Sequence, residues 1–231
     1  MTTRGAIACI GGGGFLVDDM RGLQERHLLS LLRASRGPRP RVLYLGLAQG
    51  DAESRQLRAY KMFARLGCDV NLLPFFPYEM KRDYAAEAMD ADLIYVGGGN
   101  TPAMIAVWRE FGFDRALHAA WQAGTVLAGV SAGANCWFEH YVTDSVPGGG
   151  VRAGLGWLRG TFCPHLDSEP WRAPLLADVQ APAYGVREGG MMVVRPGAEP
   201  RFVADRPGVA ANVRLPGEEA REVPSLDLSS R

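Results

Sequence analysis

The chain has 231 residues, 47% of them hydrophobic, with 25 Lys plus Arg against 25 Asp plus Glu and a formal net charge of zero. That content buries one sizeable core, so a single domain over residues 1–231 is expected, and the charge balance argues against nucleic acid or an anionic membrane surface as partner. No apolar run approaches the ~18 residues of a membrane-spanning helix, and MTTRGAIACIGGGG at the start lacks the hydrophobic stretch of a signal peptide, so the expected location is cytoplasmic.

The first half alternates strand and helix signals. Ala6–Ile10 is a short apolar run that ends in Gly11–Gly14. Gln24–Ala34 has helical periodicity, with Leu28, Leu29, Leu31 and Leu32 among charged residues. Arg41–Leu47 is β-rich, and Asp51–Leu66 is helical with Leu57, Tyr60, Met62, Phe63 and Leu66 on one face. Asp69–Pro74 and Asp92–Val96 read as further strands, and the second runs into Gly97-Gly98-Gly99-Asn100. Helices follow at Thr101–Arg109, where Pro102 suits the first turn, and at Asp114–Gln122. Thr125–Val130 is a continuous apolar strand leading to Ser131, with a helix expected after it. Apolar strands separated by helices predict an α/β fold with an open, mostly parallel central sheet flanked by helices. From about Gly148 the chain is richer in Gly and Pro and reads as hairpins, with Gly190–Val194 and Arg201–Ala204 as one strand pair. The tail from Pro216 is polar and is expected to be loosely ordered.

Ligand sites in such folds form at the carboxyl ends of the strands. Three glycine-rich loops fall there. Gly11–Gly14 is not a dinucleotide fingerprint, because no GxGxxG with a suitably placed acid follows, and it reads as a turn allowing close backbone approach. Gly129-Val130-Ser131-Ala132-Gly133 is a G-x-S-x-G pattern between a buried strand and a helix, the setting of a nucleophile elbow. Ser131 is the candidate nucleophile, and the Ala132 N–H at the helix start is a candidate oxyanion donor. Gly98 and Gly99 are candidates for the other donor, and Asn100 caps the next helix and is a candidate substrate contact. Of the four histidines, His27 and His118 lie on helices and His140 lies well beyond the elbow. His165, in TFCPHLDSEP, sits in a proline-flanked polar loop and is the candidate base. Between Ser131 and His165 the acids Asp144 and Glu139 are candidates for orienting it; Asp144 is preferred because it begins a loop able to fold back. Asp167 and Glu169 are read as solvated or substrate-facing. The four cysteines form no CxxC pair, so buried free thiols are expected, with no metal and no cofactor.

YVGGGNT, GVSAGAN with WFE and TDS after it, and GLGWLRGTFCPHLDSEPWR together resemble peptidase family S51, which contains dipeptidase E and the cyanophycinases. The resemblance runs from about Gly5 to Val203. It implies a class I glutamine amidotransferase-like, flavodoxin-like sandwich, with serine at the elbow where the amidotransferases use cysteine. It implies Ser131 as nucleophile, His165 as base, an Asp or Glu as third member, Gly98 and Gly99 in the oxyanion loop, and no metal. Dipeptidase E releases N-terminal aspartate from dipeptides, and Arg172 fits by position as the cation for the aspartyl carboxylate. One departure is Arg187-Glu188-Gly189, where many relatives carry an acidic pair before the glycine. The expected partner is a small peptide; monomer and homodimer are both open. Another acidic or β-aspartyl peptide as substrate, and a non-catalytic binding role on the same scaffold, are the alternative readings.

Overall fold

A computed structural model describes residues 4–16, 21–33, 37–76 and 82–230. Ala34 of the first expected helix and Arg231 of the tail lie outside the described residues. In chain order the elements are β1 (Ile7–Ile10), α1 (Leu23–Ser30), β2 (Arg41–Leu45), α2 (Glu53–Arg65), β3 (Asp69–Leu72), α3 (Tyr84–Asp90), β4 (Leu93–Val96), α4 (Thr101–Glu110), α5 (Phe113–Gln122), β5 (Val126–Val130) and α6 (Ala132–Asn135). There follow β6 (Phe138–Thr143), β7 (Gly150–Ala153), β8 (Leu158–Cys163), α7 (Arg172–Asp178), β9 (Ala183–Val186), β10 (Gly190–Val194), β11 (Arg201–Ala204), β12 (Ala210–Arg214), β13 (Arg221–Pro224) and β14 (Leu226–Asp227).

Eight strands form the main sheet in the order β14–β11–β10–β1–β5–β4–β2–β3. The run from β1 to β3 is parallel, and β10 joins it antiparallel to β1. Strands β1, β4 and β5 are buried along their whole length, which explains their uninterrupted apolar sequences. On one face Ile10, Tyr44 and Tyr95 pack with Leu28 of α1 and with Met62 and Phe63 of α2. On the other, Cys9, Leu45, Val96 and Leu127 pack with Trp108 of α4, Leu117 of α5 and Phe138 of β6.

The expected β10–β11 pair forms, with Gly190 opposite Ala204. The rest of the second half is more ordered than its composition suggests. Six strands make a second sheet, β13–β12–β9–β8–β6–β7, mixed in direction. The polar tail contributes β13 and β14, and the buried Leu228 donates its N–H to Ala204 O at 2.8 Å. Two further differences matter. Helix α3 was not foreseen, although Asp83 caps it by accepting from the Ala86 N–H at 2.9 Å. The helix after the elbow is one turn long, because Trp137 and Phe138 bury between the layers and the aromatic-rich stretch that follows pairs as β6. No helix among the described residues is long and apolar enough to cross a membrane.

All four cysteines are buried and free. Burial pushes the Cys68 thiol up to about 11 and the Cys163 thiol to about 12, and it raises Cys9 and Cys136 as well. The thiolate is the reactive form, so the folded protein at pH 8 should resist iodoacetamide over hours and label fully in guanidinium. Mass spectrometry reads both states, and labelling of any native thiol at the rate of free cysteine would contradict this burial.

Candidate functional site

Ser131 follows directly on the buried strand β5 and precedes α6. Its backbone lies at φ 54°, ψ −111°, outside the regions L-residues favour, at a cost of order 1–3 kcal/mol. That sharp turn lifts the side chain off the sheet's carboxyl edge and leaves it partly exposed. The turn is also crowded. A Cβ at Gly129 would fall 2.1 Å from Gly133 O, and one at Gly133 would fall 2.3 Å from Val96 O. The flanking glycines of G-x-S-x-G are therefore steric requirements here. The Ala132 N–H opens α6 and has no carbonyl one turn earlier to bond.

The loop after β4 lies against the serine. A Cβ at Gly98 would stand 3.3 Å from Ser131 Cβ and 3.9 Å from its Oγ. Gly99 has φ 130°, and a Cβ there would meet Ala48 O at 2.2 Å. Asn100 caps α4, its Oδ1 accepting from the Ala103 N–H at 2.9 Å, while its Nδ2 donates to Ser145 O at 3.1 Å. The Ser145 hydroxyl donates in turn to Gly99 O at 3.2 Å. The loop carrying Asp144 does fold back over the glycine loop, and Ser145 makes the contact.

His165 is also held at positive φ, 54°. Its Nδ1 is paired with Glu188 Oε1. Both side chains are partly buried, 22% and 30% exposed. With Nδ1 facing a carboxylate, the ring's other nitrogen, Nε2, is the one left for a substrate or a hydroxyl. Glu188 is itself braced on several sides. Its N–H donates to Asp167 Oδ1 at 2.9 Å, and its carbonyl accepts from Arg206 Nη2 at 2.7 Å. Arg206 is fixed by the buried Asp205 at 3.0 Å.

Glu188 is not among the sequence candidates, and neither Glu139 nor Asp144 stands beside His165. Glu139 lies on strand β6 of the second sheet, where Oε2 accepts from the Gly160 N–H at 2.8 Å. Asp144 is 59% exposed and pairs with Arg172 at 3.4 Å. The helix expected after the elbow is a single turn, so Glu139 falls on β6, while the loop that begins at Asp144 carries that carboxylate to Arg172. The signal for Glu188 was present in the Arg187-Glu188-Gly189 turn between β9 and β10, which delivers a side chain to the same carboxyl edge. The remaining histidines stand elsewhere. His118 packs on Trp121 and Trp157, and His140 is exposed on β6.

Arg172 does not face a substrate either. Its side chain is 4% exposed and binds Glu169 Oε2 at 3.0 Å, Asp144 at 3.4 Å and Val142 O at 3.2 Å. It is a buried clamp, and Glu169 and Asp167 are committed to the same loop architecture. Among the described residues, no group of three or more His, Cys, Asp or Glu side chains is arranged to hold a metal ion.

One strand end organises all of this. The Ser131 N–H donates to Ile10 O at 3.0 Å, the His165 N–H to Gly11 O at 3.1 Å, and the Gly189 N–H to Gly12 O at 3.0 Å. Three successive carbonyls leaving β1 thus hold Ser131, His165 and the residue after Glu188. The segment can do so only without side chains. A Cβ at Gly11 would lie 2.4 Å from Arg187 O, and one at Gly12 2.2 Å from Glu188 Oε2.

Known proteins resemble this chain in sequence and in fold. The profile of peptidase family S51 matches residues 9–198. The chain is 40% identical over 168 residues to an uncharacterized peptidase, YgaJ, of Bacillus subtilis (strain 168), covering 73% of this chain and 71% of the relative. Among solved structures, a peptidase from an acI-B1 Actinobacterium superposes with a TM-score of 0.69 at 21% identity, over 96% of this chain and 95% of the other. A putative peptidase E protein from Listeria monocytogenes EGD-e gives 0.64 at 16% identity, over 87% and 98%. These two likenesses speak to the fold.

Gly12→Ala tests the strand-end arrangement directly, since Gly12 has an ordinary φ and the new methyl's main conflict is with a carboxylate. The variant should fold, with melting within about 4 °C of wild type, corresponding to roughly 1–2 kcal/mol for a chain of this size. Proton NMR should show a downfield His165 imidazole N–H in wild type, lost in Gly12→Ala and in Glu188→Gln. Persistence of that signal in Glu188→Gln would mean that another group holds Nδ1.

Proposed function

The chain belongs to peptidase family S51, and from that premise we propose that it is a serine-type peptidase acting through an acyl-enzyme on Ser131, with dipeptides bearing N-terminal aspartate as substrates. One observation carries the reading: Ser131, His165 and the Glu188 turn hang from consecutive carbonyls of a single strand end. That brings a strained hydroxyl, an imidazole and a carboxylate to one edge, the three parts nucleophilic acyl transfer needs.

The chemistry follows from the atoms available. Ser131 Oγ attacks the peptide carbonyl carbon as His165 Nε2 takes its proton. Glu188, bonded at Nδ1, fixes the tautomer that leaves Nε2 basic and then stabilises the imidazolium. The carbonyl oxygen becomes an oxyanion between the Ala132 N–H and the N–H groups of the Gly98-Gly99 loop, which lies against the serine. The C–N bond breaks as Nε2 returns the proton to the leaving amine. Water, deprotonated by the same nitrogen, then releases the acyl group as a carboxylic acid and restores Ser131. Among the described residues the Ser131 hydroxyl makes no hydrogen bond, and nucleophile–base contacts of this kind commonly tighten as substrate binds. Arg172 supplies no aspartyl pocket in this reading, because its guanidinium is already spent inside the protein.

Ser131→Ala should lower kcat on an Asp-X dipeptide by at least ~10³-fold, and Glu188→Gln by about 10³–10⁴-fold, while both variants keep the wild-type melting temperature. Asp144→Asn and Glu139→Gln should stay within a few-fold of wild type. Undiminished turnover in Ser131→Ala would sink the nucleophile assignment, and a large loss in Asp144→Asn with none in Glu188→Gln would return the acid to Asp144. Matched rates on Asp-X, Glu-X and Asn-X dipeptides would remove the aspartate specificity while leaving the hydrolytic mechanism in place.

A further inference from the structure

At the other end of the same strands the main sheet carries a cavity of ≈ 240 Å³. It opens where Gly5 leads into β1, where β5 begins at Val126, and where β10 has just ended at Arg195. Ser131 and His165 attach at the opposite, carboxyl ends of β1 and β5, so this cavity is separate from the site described above. Its charged lining is three arginines, Arg4, Arg33 and Arg195, with no carboxylate among the lining residues. The three come from distant parts of the chain: ahead of β1, after α1, and after β10.

Arg4 is already positioned. Its Nε donates to Gln122 Oε1 at 2.8 Å and its guanidinium lies 5.2 Å over the Trp121 ring, an arrangement that leaves the two terminal amines uncommitted. Arg33 and Arg195 are exposed, and among the described residues neither guanidinium has a hydrogen-bond or ion-pair partner. Guanidinium groups stay protonated in proteins, so three around one small cavity repel each other unless an anion sits between them. Their planar forks match phosphate oxygens. A carboxylate offers two oxygens and one negative charge to three forks, whereas a diphosphate offers six non-bridging oxygens and several charges. The cavity's volume suits a compact phosphate-bearing anion.

We propose that this cavity is a binding site for a small, multiply charged phosphate compound, held by Arg4, Arg33 and Arg195 and independent of the peptidase reading. Titration calorimetry of the full chain with inorganic pyrophosphate at low ionic strength tests it. The expected result is saturable one-to-one binding that weakens with added salt, weakens at least tenfold in Arg33→Ala/Arg195→Ala, and is unchanged in Ser131→Ala. Both substituted arginines are exposed, so the double variant should melt as wild type does. Inorganic phosphate should bind more weakly than pyrophosphate, and succinate more weakly than either. Absence of saturable binding to the wild type, equal affinity in the double variant, or succinate binding as tightly as pyrophosphate would overturn the proposal.

Discussion

The site depends on the backbone carbonyls that leave strand β1. Ile10, Gly11 and Gly12 each accept one hydrogen bond, from Ser131, His165 and Gly189 respectively. Each bond is a modest interaction, worth on the order of 1 kcal/mol net. Their value is geometric, because three segments far apart in sequence are set in register by one rigid rail. β1 itself is central and buried, hydrogen-bonded to β5 on one side and β10 on the other. A displacement of the rail would have to break both ladders, so the relative placement of the three segments inherits the stiffness of the sheet.

The same arrangement explains where the strain sits. Among the described residues, Ser131 and His165 are two of the three non-glycine residues at positive φ, the third being Asp51. Such conformations survive only where the surroundings over-determine them. Behind Ser131 lies the fully buried β5, and α6 closes on it through Ala134 and Asn135, whose N–H groups donate to Ser131 O at 3.0 and 2.9 Å. For His165 the restraint is the bond to Gly11 and the Glu169 N–H, which donates to His165 O at 3.2 Å. The conformational freedom has been moved into glycines that make room for these groups. Gly11 and Gly12 are thus packing requirements at the centre of the site.

The legible parts of the fold were those fixed by local pattern. Parallel strands buried on both faces are continuous apolar runs, and β1, β4 and β5 stand where those runs lie. The elbow, the GGGN loop and His165 could be picked out because each combines a special residue with a strand end or a constrained loop. The second sheet was not legible. Its strands alternate in burial only partly, and β6 takes up a segment that local helix logic continued from the elbow. Once β6 is a strand, Glu139 belongs to the second sheet and Asp144 to the clamp built on the buried Arg172. Arg172 was misplaced for a related reason: sequence gives an arginine near a histidine, but only packing shows that Glu169, Asp144 and Val142 already occupy it.

The carboxylate that meets His165 lies outside the interval between Ser131 and His165, where the nucleophile–acid–histidine order of the α/β hydrolases would put it. Geometry does not require that order; unrelated serine hydrolases reach the same constellation with other orders. In this topology the strand beside β1 on the side away from β5 is β10, and it runs antiparallel. The turn entering β10 therefore arrives at the edge where the parallel strands β1 and β5 end. A side chain at that turn is delivered to the site by strand direction alone, and Glu188 occupies the position. An acid on β6 would have to reach across from the other sheet. The direction of one added strand, and not proximity along the chain, determines which carboxylate meets His165.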